Sequence, residues 1–190
     1  NININNTNIN NCKSNAIESQ AWTEIQGITI QNTTINQTTG YGIRLNGYYR
    51  PITNIIINNT TINQTTQDGI YIQMNDGNSQ NLQITNTQSN NNAASGFHLE
   101  NLRGTIKLEN NTLTQNGNWG LWLDGANNPT TTITNNNIHD NTNGIYIQEI
   151  NGITLNNTNN NIHDNGGYAI QLENADQTTI ENLTFNNNVR

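Results

Sequence analysis

Seven short segments of this chain share one pattern, a small residue followed by apolar positions alternating with a variable one. They read Ala16-Ile17-Glu18-Ser19, Gly42-Ile43-Arg44-Leu45, Gly69-Ile70-Tyr71-Ile72, Gly96-Phe97-His98-Leu99, Gly120-Leu121-Trp122-Leu123, Gly144-Ile145-Tyr146-Ile147 and Ala169-Ile170-Gln171-Leu172. The variable position carries Glu18, Arg44, Tyr71, His98, Trp122, Tyr146 and Gln171 in turn. Two residues further on stand Gln20, Asn46, Gln73, Glu100, Asp124, Gln148 and Glu173. His98 and Tyr146 are residue types that serve as base and acid in proton abstraction. Glu100 and Asp124, on adjacent repeats, would lie about 5 Å apart and repel, raising the pKa of one. Such a pair suits acid/base catalysis, or it could hold Ca²⁺. Tyr71, Trp122 and Tyr146, with Trp119 beside them, offer flat rings with polar edges. The plain alternatives stand beside these readings: rings on neighbouring strands stack and stabilise any sheet face, and carboxylates near a loop are simply solvated.

A second constellation comes from an internal copy. Asn137-Ile138-His139-Asp140-Asn141 recurs as Asn161-Ile162-His163-Asp164-Asn165. Two His and two Asp, brought together, could bind Zn²⁺ or Cu²⁺. Duplication of a repeat accounts for the same observation without a metal.

These residues can meet only if the repeats register. An asparagine recurs at Asn6, Asn32, Asn59, Asn86, Asn110, Asn135, Asn157 and Asn182, at spacings of 22–27 residues. Each follows an apolar pair such as Ile28/Ile30 or Ile55/Ile57 by two residues. A period in the twenties means stacked supersecondary units, and identical amides on successive units can hydrogen-bond in a ladder. This predicts a buried Asn ladder. Within one unit, Ile55 to Ile57, Thr61-Ile62 and Gly69 to Ile72 read as three short strands broken by Asn and Gly. No segment has helical period. About seven to eight rungs fit, each closing three strands round a narrow Ile/Leu core. Alternation then places the two rows above on one sheet face. The long connections, Asn46 to Asn54, Gln73 to Asn81 and Asp124 to Thr130, follow that strand, where binding usually resides.

Composition bounds the rest. The 190 residues include 46 Asn, with 31% hydrophobic and 10% charged. Low hydrophobicity suggests disorder, but the placed Ile and Thr argue for order. Net charge is −7 with six Lys and Arg, which argues against nucleic acid and against docking on anionic membranes. No apolar run approaches a transmembrane helix, so membrane insertion is not expected. Cys12 is alone, so no intrachain disulfide forms. The chain begins mid-pattern, and Phe185 to Arg190 stop partway through a repeat. Residues 1–190 therefore read as a single domain that is a portion of something longer, without its caps.

The Asn ladder and the Gly-Ile-x-Leu/Ile strands resemble the pectate-lyase-like superfamily over essentially the whole chain. The resemblance implies an all-β fold, a right-handed single-stranded parallel β-helix. It also implies a substrate groove on the Gly-led strand. That superfamily spans polysaccharide lyases, glycoside hydrolases, uronan epimerases, tailspikes and adhesins, so fold does not select function. The chain lacks Asn-Thr-Asp with Gly-His-Gly as in polygalacturonases. It also lacks Asp-Pro-His-Glu as in alginate epimerases, and a clear basic residue framed by calcium carboxylates as in pectate lyases. The leading expectation is an extracellular or cell-surface protein that binds a polysaccharide along this face, through Arg44, Tyr71, Trp119, Trp122 and Tyr146. The rung spacing is close to one pyranose unit, so a sugar chain could run along the rod. The alternative is a lyase, hydrolase or epimerase using His98, Glu100, Asp124 and Tyr146, with Arg44 countering a substrate carboxylate; the short carboxylate separation would favour retaining hydrolysis. A third reading is a structural rod of an adhesin, surface layer or fibre that self-associates end to end or laterally.

Overall fold

A computed structural model describes residues 1–47, 49–74, 80–125, 129–156, 159–181 and 183–190. Every described element is a strand, and every pairing is parallel. Each rung contributes one strand to each of three sheets, so consecutive strands in a sheet are one rung apart in sequence. In one rung these are Ile55–Asn58, Thr61–Thr65 and Ile70–Met74. The first sheet has six strands, from Ile2–Asn5 to Thr130–Thr134. A two-stranded piece, Thr154–Asn156 with Thr179–Glu181, takes the same place in the last rungs. The second sheet has eight strands, from Asn8–Asn10 to Thr184–Asn186. The third has seven, from Ile17–Gln20 to Ile170–Glu173. The result is the parallel β-helix expected from the repeat.

The core is a file of aliphatic side chains, five from a typical rung: Ile28, Ile30, Ile35, Ile43 and Leu45 are all essentially buried. Each contributes about 1.5–3 kcal/mol by leaving water, and its contacts lie mostly above and below, so stability accrues rung by rung. Small residues let the rungs approach. A Cβ on Gly96 would sit 2.6 Å from the Gly120 carbonyl oxygen and 2.9 Å from Asn116 Nδ2.

The Asn ladder differs from expectation. Asn6, Asn32, Asn59, Asn86, Asn110 and Asn135 have φ between +47° and +57° and are exposed, not buried. They make the tight left-handed turn between the first and second sheets, a conformation Asn tolerates well. That turn points their side chains outward, so their amides join only partly, as in Asn59 Nδ2 to Asn32 Oδ1 at 2.8 Å and Asn110 Nδ2 to Asn86 Oδ1 at 3.3 Å. Expected members Asn157 and Asn182 lie outside the described residues. In the seventh rung Asn159 occupies the turn, with φ +48° and its Nδ2 3.4 Å from Asn135 Oδ1.

The buried ladder begins one residue later, where the chain turns inward. Its members are Thr33, Thr60 and Thr87, then Asn111, Asn136 and Asn160. Asn111 Nδ2 donates to Asn136 Oδ1 at 3.0 Å, and Asn136 Nδ2 to Asn160 Oδ1 at 3.0 Å. A second buried ladder fills the corner between the second and third sheets, running Thr65, Asn92, Asn116, Asn141, Asn165 and Asn188. These amides satisfy backbone groups that the corners would otherwise strand.

Candidate functional site

Strand pairing in the third sheet places both predicted rows as the alternation required. Glu18, Arg44, Tyr71, His98, Trp122, Tyr146 and Gln171 are successive register partners. So are Gln20, Asn46, Gln73, Glu100, Asp124, Gln148 and Glu173. Residues up to about 155 positions apart in sequence therefore share one face.

The rings do not lie as open platforms. His98 and Trp122 stack with centroids 4.0 Å apart at 7°, and Tyr71 tilts onto His98 at 5.0 Å. Trp122 and Tyr146 are 5.6 Å apart, tilted at 44°. Trp119 stacks on Tyr146 at 4.9 Å and is 7% exposed; Tyr146 is 9% exposed. Neighbouring rungs thus cover the ring faces, and the rings meet solvent by their edges. Tyr71, Trp119, Trp122 and Tyr146 act first as a staple across the sheet.

The tyrosines tie the two rows together. Tyr71 Oη donates to Glu100 Oε2 at 2.7 Å, and Tyr146 Oη to Glu173 Oε2 at 2.5 Å. Burial, with the bond to Glu100, pushes the Tyr71 phenol well above its ordinary range. The bond to Glu173, then burial, pushes Tyr146 up to about 12. Both phenols therefore stay protonated at neutral pH and serve as donors rather than bases. Glu100 also accepts from Gln73 Nε2 at 2.9 Å. Asp124 is different: burial first, then the Glu100 charge, raise its pKa, against an opposing pull from His98. Asp124 is thus a carboxyl pushed up by burial and by the carboxylate on the neighbouring strand.

Alternation misses one partner. Asp68, buried just before Gly69, accepts the Ser95 backbone N–H at 2.7 Å and faces His98 Nδ1 at 3.4 Å. It belongs to a row at the strand entrance with Tyr41, Trp119 and Tyr168, where the chain leaves the corner and period two does not yet hold. Tyr41 stacks on Tyr71 at 5.2 Å from that row. His98 Nε2, Trp122 Nε1 and Arg44 Nε are buried with no hydrogen-bond partner among the described residues. Arg44 is held by Glu18, Nη1 to Oε1 at 2.6 Å; hydrogen bonds from Asn15, then Arg44, keep the Glu18 carboxyl below its usual range. A further pair was not foreseen. Trp22 and Tyr49 stack at 4.4 Å and 12°, both exposed, on the loops that follow the first two strands of this sheet.

The His-Asp repeat sits on the second sheet. The His139 and His163 rings stack at 4.8 Å and 4°, and each Nδ1 faces its own neighbour, Asp140 Oδ2 at 2.7 Å and Asp164 Oδ2 at 2.6 Å. The His163 bond, then one from Asn187, hold the Asp164 carboxyl low. Zinc takes imidazole nitrogens at about 2.0–2.1 Å in their ring planes. The rings lie parallel, each Nδ1 faces the Asp beside it, and His163 Nε2 faces Asn137 Oδ1 of the preceding rung at 3.1 Å, so the four groups do not converge on one ion. Among the described residues no group of three or more His, Cys, Asp or Glu is placed to hold a metal. A concavity of about 620 Å³ lies on that sheet too, away from the His98 row.

A family model described as "Right handed beta helix region" matches residues 1–132. A comparison with curated protein sequences gives no match. Among solved structures, the A-module of mannuronan C-5 epimerase AlgE6 from Azotobacter vinelandii is similar, at 15% identity and TM-score 0.53. The alignment covers 85% of this chain and 59% of that one. The likeness is one of fold.

Proposed function

This chain belongs to the family of right-handed β-helix regions, and from that premise we propose that its third sheet binds an uncharged polysaccharide laid along the rod axis. The observation that carries the proposal is the second row. From Gln20 to Glu173, a carboxamide or carboxylate stands on each of seven hydrogen-bonded strands. Strands lie about 4.7–4.9 Å apart, so from Gln73 to Glu173 a chain of sugars would meet one hydrogen-bonding side chain per rung, flanked by ring edges; Asn46 in the same row is buried. Charge selects the class of glycan. Glu100, Asp124 and Glu173 make the row acidic, and Arg44 is already paired with Glu18. A uronate polymer would be repelled, whereas hydroxyls both donate to carboxylates and accept from amides. A polysaccharide-modifying enzyme on the same fold, the AlgE6 module, supports the substrate class at the level of analogy alone. An extracellular or cell-surface location goes with this reading, as the place where such polymers are met.

Affinity gel electrophoresis in neutral β-glucan and galactomannan tests it. The chain is expected to be retarded, and the double substitution Gln73→Ala/Gln148→Ala to lose most of the retardation with its circular dichroism unchanged. Retardation by polyuronates only, or an unaffected double variant, contradicts it.

One observation favours a second reading, retaining hydrolysis. Burial, then the Glu100 charge on the neighbouring strand, push the Asp124 carboxyl up from its ordinary value, and retaining glycosidases hold two carboxyl groups about 5–5.5 Å apart. Asp124 would be the acid and Glu100 the nucleophile. New reducing ends that vanish in Asp124→Asn while binding persists would support hydrolysis; binding without any release would leave the protein a binder.

A further inference from the structure

The concavity on the second sheet runs across four rungs and is built entirely of carboxamides. Its floor is Asn10, Asn36 and Asn63, continued by Asn90. Asn36 Nδ2 donates to Asn10 Oδ1 at 3.0 Å, Asn63 Nδ2 to Asn36 Oδ1 at 3.0 Å, and Asn90 Nδ2 to Asn63 Oδ1 at 3.1 Å. A carboxamide has two N–H donors and two acceptor lone pairs. The ladder uses one of each, so the inner floor amides keep one donor and one acceptor. Asn90 Oδ1, at the end, is buried without a partner among the described residues.

The wall is Asn11, Gln37, Gln64 and Asn91, exposed on consecutive rungs with φ of +56°, +56°, +58° and +55°. None of the four makes a side-chain hydrogen bond among the described residues. Left-handed backbone is common for Asn but costs Gln about 1–2 kcal/mol. The same φ recurs at this corner in Gln115, Asp140 and Asp164 outside the concavity, so it belongs to the turn; what sets the groove apart is a wall of exposed carboxamides whose side chains hold nothing within the described chain.

We propose that this groove is a second carbohydrate-contact site, taking an uncharged, hydroxyl-rich glycan chain along the axis. No lining residue is charged, although the chain carries a net charge of −7. An ionic ligand would find no counter-charge there, while a polyol matches groups that donate and accept together. The amide pair recurs at the rung spacing of about 4.8 Å, near the length of one pyranose unit, so each sugar meets the same contacts. Beyond Asn90 and Asn91 the same positions become Thr114 and Gln115, then the His139–Asp140 and His163–Asp164 pairs, where the uncharged groove ends. The site is separate from the third-sheet face and stands or falls on its own.

The test uses hydroxyethyl cellulose and galactomannan in affinity gels, with the third sheet first weakened by Gln73→Ala/Gln148→Ala. Residual retardation is expected in that background. Adding Gln37→Glu/Gln64→Glu should weaken it roughly tenfold or more, about 1.4 kcal/mol, with an unchanged circular dichroism spectrum. A control pair on the first sheet, Gln83→Glu/Thr132→Glu, should leave it alone. The proposal is overturned if the background variant binds neither polymer, if the groove pair changes nothing, or if the control pair weakens binding equally.

Discussion

At the scale of single residues, burial separates the asparagines into different jobs. Asn141 accepts from the Asn116 backbone N–H and Nδ2, and donates to Asn165 Oδ1 and the Leu113 carbonyl. Asn141→Leu would leave several buried groups unpaired and should cost about 2–4 kcal/mol. Asn135→Gly, at an exposed turn with φ +56°, should be nearly neutral, since glycine takes that backbone freely. Chemical denaturation of both variants checks the contrast. Asp124 gives a pH dependence with a definite sign. Its folded pKa lies above the ordinary 3.8, so the folded state binds its proton more tightly and loses stability as pH rises through the folded value. Asp124→Asn should therefore melt higher than the parent at pH 7, and the difference should vanish below about pH 3.8. An advantage that persists there would show that the effect is not titration. The sequence repeats made every rung visible, yet they marked Asn32 and Asn59 as the buried ladder instead of Thr33 and Thr60. Spacing locates a turn but does not tell which of two adjacent residues faces inward, because a left-handed residue reverses the alternation locally.

At the scale of strands, the fit between rungs sets the tolerances. Gly96→Ala would drive a Cβ against the Gly120 carbonyl and Asn116, and should cost about 1–3 kcal/mol through forced separation of the rungs. Gly166→Ala, whose nearest neighbour would be at 3.6 Å, should be tolerated in the same melting assay. The third-sheet rows were legible because period two is strict within a strand. Asp68, Tyr41 and Tyr168 were not, because they precede the strand, where the corner sets direction. Ring orientation was also beyond reach. One ring per rung could mean open faces or a stack, and the separation of His98 and Trp122 at 4.0 Å decides for the stack.

At the scale of the molecule, a rod built from one repeated unit offers the same contact every 4.8 Å or so, and this suits a polymeric ligand better than a compact one. Its three sheets have different chemistries: acidic and ring-edged on the third, uncharged and amide-lined on part of the second. The fold follows from the repeat. The ligand does not, since the same scaffold hosts many functions, and only the side chains that face outward can decide. The most direct measurement is a ¹⁵N–¹H NMR titration of the labelled chain with neutral hexasaccharides such as cellohexaose and mannohexaose. The account predicts shifts that concentrate at Gln73, Glu100, Asp124 and Gln148 on four adjacent strands of the third sheet. Saturating hexasaccharide that leaves all four unmoved would contradict it.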